Sequence, residues 1–98
     1  MRLTQYEINS IKKAFQETFE SGEVYLFGSR VDDSKRGGDI DLFIDLPYKL
    51  DIKELLDKKS KFKLALYDTI GEQKIDVVFS KDKNRSIEKE ALKTGVLL

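Results

Sequence analysis

The chain has 98 residues, a length that favours one domain, residues 1–98, with a single modest hydrophobic core. Charged residues make up 37% and the formal net charge is zero, so no overall basic field would hold it on nucleic acid. Cysteine and histidine are absent, which excludes disulfides, thiolate nucleophiles, histidine acid–base pairs and the usual zinc sites. No apolar run is long enough to span a bilayer and no segment resembles a signal peptide, so we expect a cytoplasmic protein with no membrane contact.

The first predicted elements are a helix over about residues 4–21 and a strand over residues 23–27. Thr4 and Glu7 have the spacing of a capping box, in which each side chain satisfies a free backbone amide at the start of a helix. One apolar stripe follows at intervals of three and four residues: Ile8, Ile11, Phe15 and Phe19. Ser21-Gly22 then predicts the helix end, and the short apolar segment after it, bounded by glycines, is typical of a strand.

The next segment, YLFGSRVDDSKRGGDIDLFID, runs from Tyr25 to Asp45 and holds the residues with chemical potential. Residues 29–38 are polar and have room for one short helical turn at most. From Asp39 to Asp45 apolar and acidic residues alternate, which predicts a second strand with one face in the core and the acids on the other face. Pro47 ends this strand.

The second half predicts a helix, a strand and a last helix. A second capping-box pattern begins at Asp51, and an apolar stripe continues to about Tyr67, made of Ile52, Leu55, Leu56, Phe62 and Leu66. The lysines at 58, 59, 61 and 63 are interpreted as a solvated helix face rather than a binding stripe. Residues 74–79 predict a third strand, and residues 84–94 predict a helix that ends at Gly95.

This order of elements predicts an α/β (α+β) fold with a small mixed sheet of three or four strands and helices packed on it. The connection over residues 29–38 is too short for an ordinary helical crossover, so the first two strands should be antiparallel neighbours. The long helix before the third strand allows that strand to lie parallel to one of them. The end of strand one and the start of strand two then meet at one edge of the sheet.

Three aspartates form the candidate catalytic and metal-binding set. Asp39 and Asp41 are two residues apart on a strand, so both point to the same side, roughly 6–7 Å apart at the backbone. Adjacent carboxylates repel unless a cation lies between them, and Mg²⁺ meets that need while leaving positions for phosphate oxygens. Asp76, in the third strand, has the parity to complete a site for two divalent ions about 3.5–4 Å apart.

Gly28 and Ser29 are the candidate phosphate-binding residues, because glycine permits close backbone approach and serine supplies a hydroxyl donor. Taken alone, a Gly-Ser is usually a turn, and an Asp-x-Asp is usually solvated. A salt bridge would equally explain Asp76 in an apolar strand. The three features in this order favour phosphoryl-type transfer over those simpler interpretations.

The patterns Leu-Phe-Gly28-Ser29-Arg30, Gly-Asp39-Ile-Asp41-Leu and Lys-Ile-Asp76-Val-Val together resemble the nucleotidyltransferase superfamily of the DNA polymerase β type. The likeness is greatest to the minimal nucleotidyltransferase (MNT) antitoxins that pair with HEPN-domain toxins, and it covers most of the chain. The chain departs from the family pattern in two ways. The connection from Ser29 to Asp39 is slightly shorter than the family's spacing, and the common Arg-x-x-Gly is replaced by Arg30-Val-Asp-Asp, so we expect a triphosphate loop of different shape.

The resemblance implies roles for individual residues. Gly28 and Ser29 would hold the terminal phosphates of the nucleotide, and Asp39 and Asp41 would bind Mg²⁺. Asp76 would bind metal and act as the base towards the acceptor hydroxyl. Arg30 would neutralise phosphate, with a surface ion pair to a neighbouring aspartate as an equal alternative.

The sequence therefore favours a Mg²⁺-dependent transferase that moves AMP from ATP to a hydroxyl of a partner HEPN toxin, a tyrosine by the resemblance, in a hetero-oligomer. Two alternatives stay open: an antitoxin that neutralises its partner by occlusion without chemistry, and one subunit of a transferase acting on a small molecule. The elements account for nearly all of the chain, so the acceptor is expected to bring its own recognition surface. The apolar tail of residues 96–98 either folds back onto the core or docks on a partner, and docking is the favoured expectation.

Overall fold

The computed structural model describes residues 3–31, 39–81, 89 and 92–98, and for Ser29 and Arg30 it describes the backbone alone. The elements in chain order are α1 (Gln5–Phe19), β1 (Glu23–Phe27), a 3₁₀ turn (Gly28–Val31), β2 (Ile40–Asp45), α2 (Ile52–Ile70), β3 (Ile75–Phe79) and β4 (Val96–Leu97). Most of the helix predicted over residues 84–94 lies outside the described residues. Within it, residue 89 and residues 92–94 are helical.

The four described strands form one mixed sheet in the order β3-β2-β1-β4. β1 and β2 are antiparallel, whereas β2 and β3 are parallel, with α2 as the crossover between them. This mixed sheet confirms the predicted fold class. The short connection after β1 reverses the chain direction, so β2 is antiparallel to β1, and the long connection after β2 lets β3 run parallel to β2. The start of β2 and the start of β3 therefore lie side by side at one edge.

The apolar tail folds back onto the protein, so the favoured expectation that it docks on a partner was wrong. Val96 and Leu97 pair with β1 as the antiparallel strand β4. The Leu98 amide donates to the Val24 carbonyl at 3.0 Å, and the Leu98 side chain packs against the core. Backbone pairing at the open edge of β1 and burial of Leu98 together stabilise the tail against its own chain.

The core lies between one face of the sheet and the two long helices. Thr4 and Glu7 form the predicted capping box, with the Glu7 amide donating to Thr4 Oγ1 at 3.1 Å. At the centre Phe19 and Phe62 meet edge to face, with ring centroids 5.7 Å apart. The buried sheet residues alternate along each strand: Val24 and Leu26 in β1, Ile40, Leu42 and Ile44 in β2, and Ile75, Val77 and Phe79 in β3. The acids therefore lie on the other face, together with Phe43, which is fully buried there and lies 6.1 Å from the Tyr25 ring between centroids.

The predicted apolar stripe of α2 is only partly buried. Phe62 and Leu66 are inaccessible to solvent, but Ile52 is 72% exposed and Leu56 is 55% exposed, so these two members of the predicted stripe lie outside the core. Leu55 is the residue that packs inward in the first turns. Each residue turns the helix by about 100°, so Leu56 points away from the face that carries Leu55, Phe62 and Leu66. Ile52 is the first residue of α2.

One of the lysines expected on a solvated face instead joins the two helices. Lys58 Nζ donates to the Thr18 carbonyl at 2.9 Å and lies 6.0 Å from the centre of the Phe19 ring. Tyr48 adds a hydrogen bond from its hydroxyl to the Phe19 carbonyl at 2.6 Å. Carbonyls in the last turn of a helix lack partners within the helix, so these two side chains complete the end of α1. None of the helices in the described segments has the length and apolar character needed to cross a membrane.

Candidate functional site

The structure brings the three predicted acids together on the sheet face opposite the helices. Asp41 in β2 and Asp76 in β3 are direct partners in the parallel register. Neighbouring strands are about 4.8 Å apart, and the alternation that buries Ile40 and Ile75 turns both aspartates away from the core. Asp39 is the residue immediately before β2 and shares the parity of Asp41. Asp76 is exposed, and the other two acids are partly buried.

Gly28 lies directly against Asp41. Its φ is +78°, a backbone conformation that favours glycine. A Cβ atom added at Gly28 would meet the Asp41 carboxylate oxygen and would lie 3.1 Å from Asp41 Cγ and 3.3 Å from Asp41 Cβ. The backbone at the end of β1 can approach this carboxylate so closely only because residue 28 has no side chain. The site thus contains a bare backbone turn beside an acid, as the sequence predicts.

Ser29 and Arg30 belong to the 3₁₀ turn that continues from Gly28. The backbone of this turn lies next to β2 in the fold. Their side chains, and the rest of the connection over residues 32–38, lie outside the described residues. The predicted phosphate-binding roles of Ser29 and Arg30 stay predictions.

The electrostatics of the site are dominated by like charges. Partial burial raises the pKa of Asp41, and the negative charges of Asp76 and Asp39 raise it further. A hydrogen bond between the carboxyl groups of Asp41 and Asp76 acts in the same direction, while the Lys74 ammonium opposes it. The two in-register carboxyl groups are therefore close enough to interact directly, and each would be stabilised by a cation between them.

Lys74 is the residue of this site that sequence reasoning missed. Its Nζ lies 3.4 Å from Asp39 Oδ2 and forms an ion pair with it. The signal was present in the sequence, because Lys74 precedes Asp76 by two residues and residues two apart on an extended strand share a face.

The donor set fits a hard divalent cation. All three candidate ligands are carboxylates, the oxygen donors that Mg²⁺ prefers, and a partly buried carboxylate pair of like charge needs positive charge nearby. Within the described ranges no three acids already surround a single point as a complete metal site would require. The Asp39–Lys74 ion pair supplies a physical reason, because it draws one of the three carboxylates towards an ammonium group.

A 320 Å³ cavity lies at the opposite edge of the sheet. It is formed by residues at the end of β2, at the start of α2 and at the end of β3, among them Ile44, Leu55 and Phe79. None of the three acids lines it. The acids therefore lie towards the other end of the strands, where the side chain of Asp76 is exposed to solvent.

Comparison with known proteins gives one family and one fold relative of note. The profile of the family described as "Polymerase beta, Nucleotidyltransferase" matches residues 9–98. No curated protein sequence matches the chain. Among solved structures, the chain is similar to one of the toxin–antitoxin pair MntA-HpeT, a mutant in which two aspartates are replaced by glutamates. The TM-score is 0.64 and the sequence identity is 22%, and the match covers 91% of this chain and 69% of that chain.

At that identity the structural likeness supports the fold. The family match extends over almost the whole chain, including all of the predicted site residues. It confirms the resemblance found in the Gly28-Ser29 and Asp39-x-Asp41 patterns. The chain therefore belongs to the polymerase beta nucleotidyltransferase family.

Proposed function

We propose that this chain is a Mg²⁺-dependent nucleotidyltransferase that moves AMP from ATP to a tyrosine hydroxyl of a partner HEPN toxin and thereby acts as an antitoxin. Membership of the family supports the transfer of a nucleotidyl group. The observation that carries the proposal is the in-register pairing of Asp41 with Asp76 beside the bare turn at Gly28. We expect the reaction to take place in the cytoplasm, where ATP is available.

Asp39, Asp41 and Asp76 would hold the divalent cations, two in number by the family resemblance. Bound cations supply positive charge that offsets both the repulsion among these acids and the charge of a triphosphate. The partial burial of Asp41 suits this role, because a desolvated carboxylate interacts strongly with a nearby positive charge. Asp39 would have to leave its ion pair with Lys74 to take part.

The turn after β1 would bind the phosphates of the nucleotide. The missing side chain at Gly28 keeps its backbone accessible beside Asp41, so a phosphate can lie close to the main chain there. The amides of Gly28 and Ser29 and the Ser29 hydroxyl are the donors we assign to the terminal phosphates. Arg30 would add positive charge on the same side.

Asp76 is the residue we assign to the proton transfer. It is the exposed member of the trio, so an acceptor hydroxyl can reach it from solvent. As the hydroxyl oxygen forms a bond to the α-phosphorus of ATP, its proton passes to the Asp76 carboxylate. The bond from the α-phosphorus to the bridging oxygen breaks, and pyrophosphate leaves. The product is an AMP ester of the acceptor.

Two observations support a protein as the acceptor. Asp76 is exposed, so a hydroxyl group on the surface of another protein can reach its carboxylate. The solved structure with the similar fold is named as a toxin–antitoxin pair, MntA-HpeT. A hydroxyl presented on the surface of a bound toxin would approach Asp76 without a second substrate domain on this chain.

The test is to incubate the purified chain with a candidate HEPN toxin, ATP and Mg²⁺ and to measure the mass of the intact toxin. The wild type should add one or more AMP groups, and Asp76→Asn should add none. Asp57→Asn is the matched control, because Asp57 is an exposed acid on α2, away from the site. It should modify the toxin at the wild-type rate.

The outcome also separates the enzyme from an antitoxin that acts by occlusion. The enzyme requires that Asp76→Asn keep its fold and its binding to the toxin while losing protection of cells that produce the toxin. Full protection by the variant, with no mass added to the toxin by the wild type under any nucleotide or metal condition, would contradict the proposed reaction.

A further inference from the structure

Among the described residues, Lys74 is a basic residue that lies beside Asp39, Asp41 and Asp76. Its backbone is held in place because the Ile40 amide donates to the Lys74 carbonyl at 3.0 Å. This bond joins the segment before β3 to the first residue of β2 and sets Lys74 next to Asp39. The side chain then spans to Asp39 Oδ2 at 3.4 Å, with 74% of the lysine side chain and 36% of the aspartate side chain exposed.

The position of Lys74 allows it to act on more than one acid. Residues two apart on a strand share a face, so Lys74 and Asp76 point to the same side of the sheet. The ammonium also favours the charged form of Asp41, in opposition to the two neighbouring acids. In the described part of the chain, Lys74 is the cationic side chain that the structure places against this trio.

We propose that Lys74 is the resident counter-ion of the acidic face and competes with the divalent cation for Asp39. This inference rests on the proposed function, because it concerns the same metal-binding carboxylates. In the metal-free protein the ammonium offsets the charge of Asp39. When Asp39 turns to the cation, its ion pair with Lys74 is lost, and the affinity for the cation is reduced by the free energy of that pair.

The strength of the pair makes this competition reversible. An exposed lysine–carboxylate pair is weak, because solvent screens it and ordering a flexible side chain costs entropy. A divalent cation carries twice the charge and binds oxygen ligands directly, so it displaces the ammonium. The effect of Lys74 is therefore to weaken cation binding modestly and to leave a positive charge beside the site afterwards. This makes Lys74 a positioning residue and not a catalytic one.

The experiment is a Mg²⁺ titration of the whole chain without nucleotide, followed by NMR of the backbone amides of Asp41 and Asp76. Lys74→Gln should bind Mg²⁺ about two- to fivefold more tightly than the wild type, the range that loss of an exposed ion pair allows. Lys53→Gln is the matched control, because Lys53 is an exposed lysine in the first turn of α2, and it should leave the affinity unchanged. In the wild type, the side-chain signals of Lys74 should shift as Mg²⁺ is added.

The results separate this inference from the proposed function. Equal Mg²⁺ affinity in the wild type and Lys74→Gln, or weaker binding by the variant, overturns the role of Lys74 and leaves the metal site intact. Unchanged Lys74 side-chain signals during saturation with Mg²⁺ also overturn it. If neither protein binds Mg²⁺ at any concentration, with or without ATP, the metal site of the proposed function fails and the inference fails with it.

Discussion

Replacing Gly28 with alanine is the most informative single change at the site, because one methyl group acts on both the backbone and Asp41. The φ of +78° disfavours any residue with a Cβ atom, at a cost of about 1–2 kcal/mol. The new Cβ would also lie 3.1 Å from Asp41 Cγ and 3.3 Å from Asp41 Cβ. Asp41 Cβ is fixed by β2, so the carboxyl group has to rotate away from the turn.

The free energy of unfolding of Gly28→Ala should fall by about 1.5–3.5 kcal/mol. About 1–2 kcal/mol comes from the backbone, and the forced side-chain torsion of Asp41 adds about 0.5–1.5 kcal/mol. The larger consequence is functional. A rotated Asp41 no longer lies beside Asp76, so the stabilisation of the protein by Mg²⁺ and ATP should be lost even where the variant is folded.

Gly71→Ala is the matched control. Gly71 has a φ of +85°, but a Cβ added there would meet nothing within 4 Å. Its ψ of 175° places Gly71 in a backbone region essentially restricted to glycine, so this variant should lose about 1–3 kcal/mol from the backbone alone and should keep the full Mg²⁺–ATP response. Urea denaturation gives the free energies, and the shift of the thermal midpoint on adding Mg²⁺ and ATP reports binding. If Gly28→Ala kept the wild-type shift and lost no more stability than Gly71→Ala, the contact between the turn and Asp41 would have no functional role.

Three further predictions concern the fold. The Glu54 amide donates to Asp51 Oδ1 at 2.8 Å and holds the Asp51 pKa below its ordinary value. This helix cap therefore stabilises the protein above about pH 4, and its contribution is lost as the pH falls through the lowered pKa. Thermal midpoints of wild type and Asp51→Ala should therefore differ at pH 7 and converge in acid, whereas a constant gap would contradict the cap. Phe62→Ala, at a fully buried position, should lower the free energy of unfolding by about 3–5 kcal/mol in urea, and a loss under 1 kcal/mol would refute its place at the core centre. Leu98→Lys should lower the thermal midpoint clearly while Leu97→Lys, at a 53% exposed position, should hardly change it; equal effects would mean that the tail does not pack as described.

The sheet was predictable from the sequence because its strands obey short-range rules. The alternation of Ile40, Leu42 and Ile44 with acids defines one buried face, and the brevity of the connection after β1 leaves only an antiparallel return. Both signals depend on neighbours in the chain. The fold class and the approach of Gly28 to the acids follow from them without knowledge of the packing.

The features that the sequence did not predict correctly depend on which surfaces of the elements pack together in the folded protein. Ile52 and Leu56 have the spacing of an apolar stripe, but the face of α2 that meets the sheet is fixed by Phe62 and Leu66 further along the helix. The sequence of the tail does not indicate what it packs against, because an apolar segment can pack on its own core or on another protein. Only the open edge of β1 decides between them.

The site depends on the core for its geometry. The parallel register that pairs Asp41 with Asp76 is the one that puts Ile40 opposite Ile75 and Leu42 opposite Val77 in the buried layer. A slip of one residue in either strand would carry an aspartate into the core and a core side chain onto the face that carries the acids, at the cost of an unpaired buried charge. Burial of the apolar residues on the opposite face of the same strands thus keeps the acids close together in spite of their mutual repulsion. Substitutions on the core face of β2 or β3 that loosen this register should therefore weaken cation binding without touching a carboxylate.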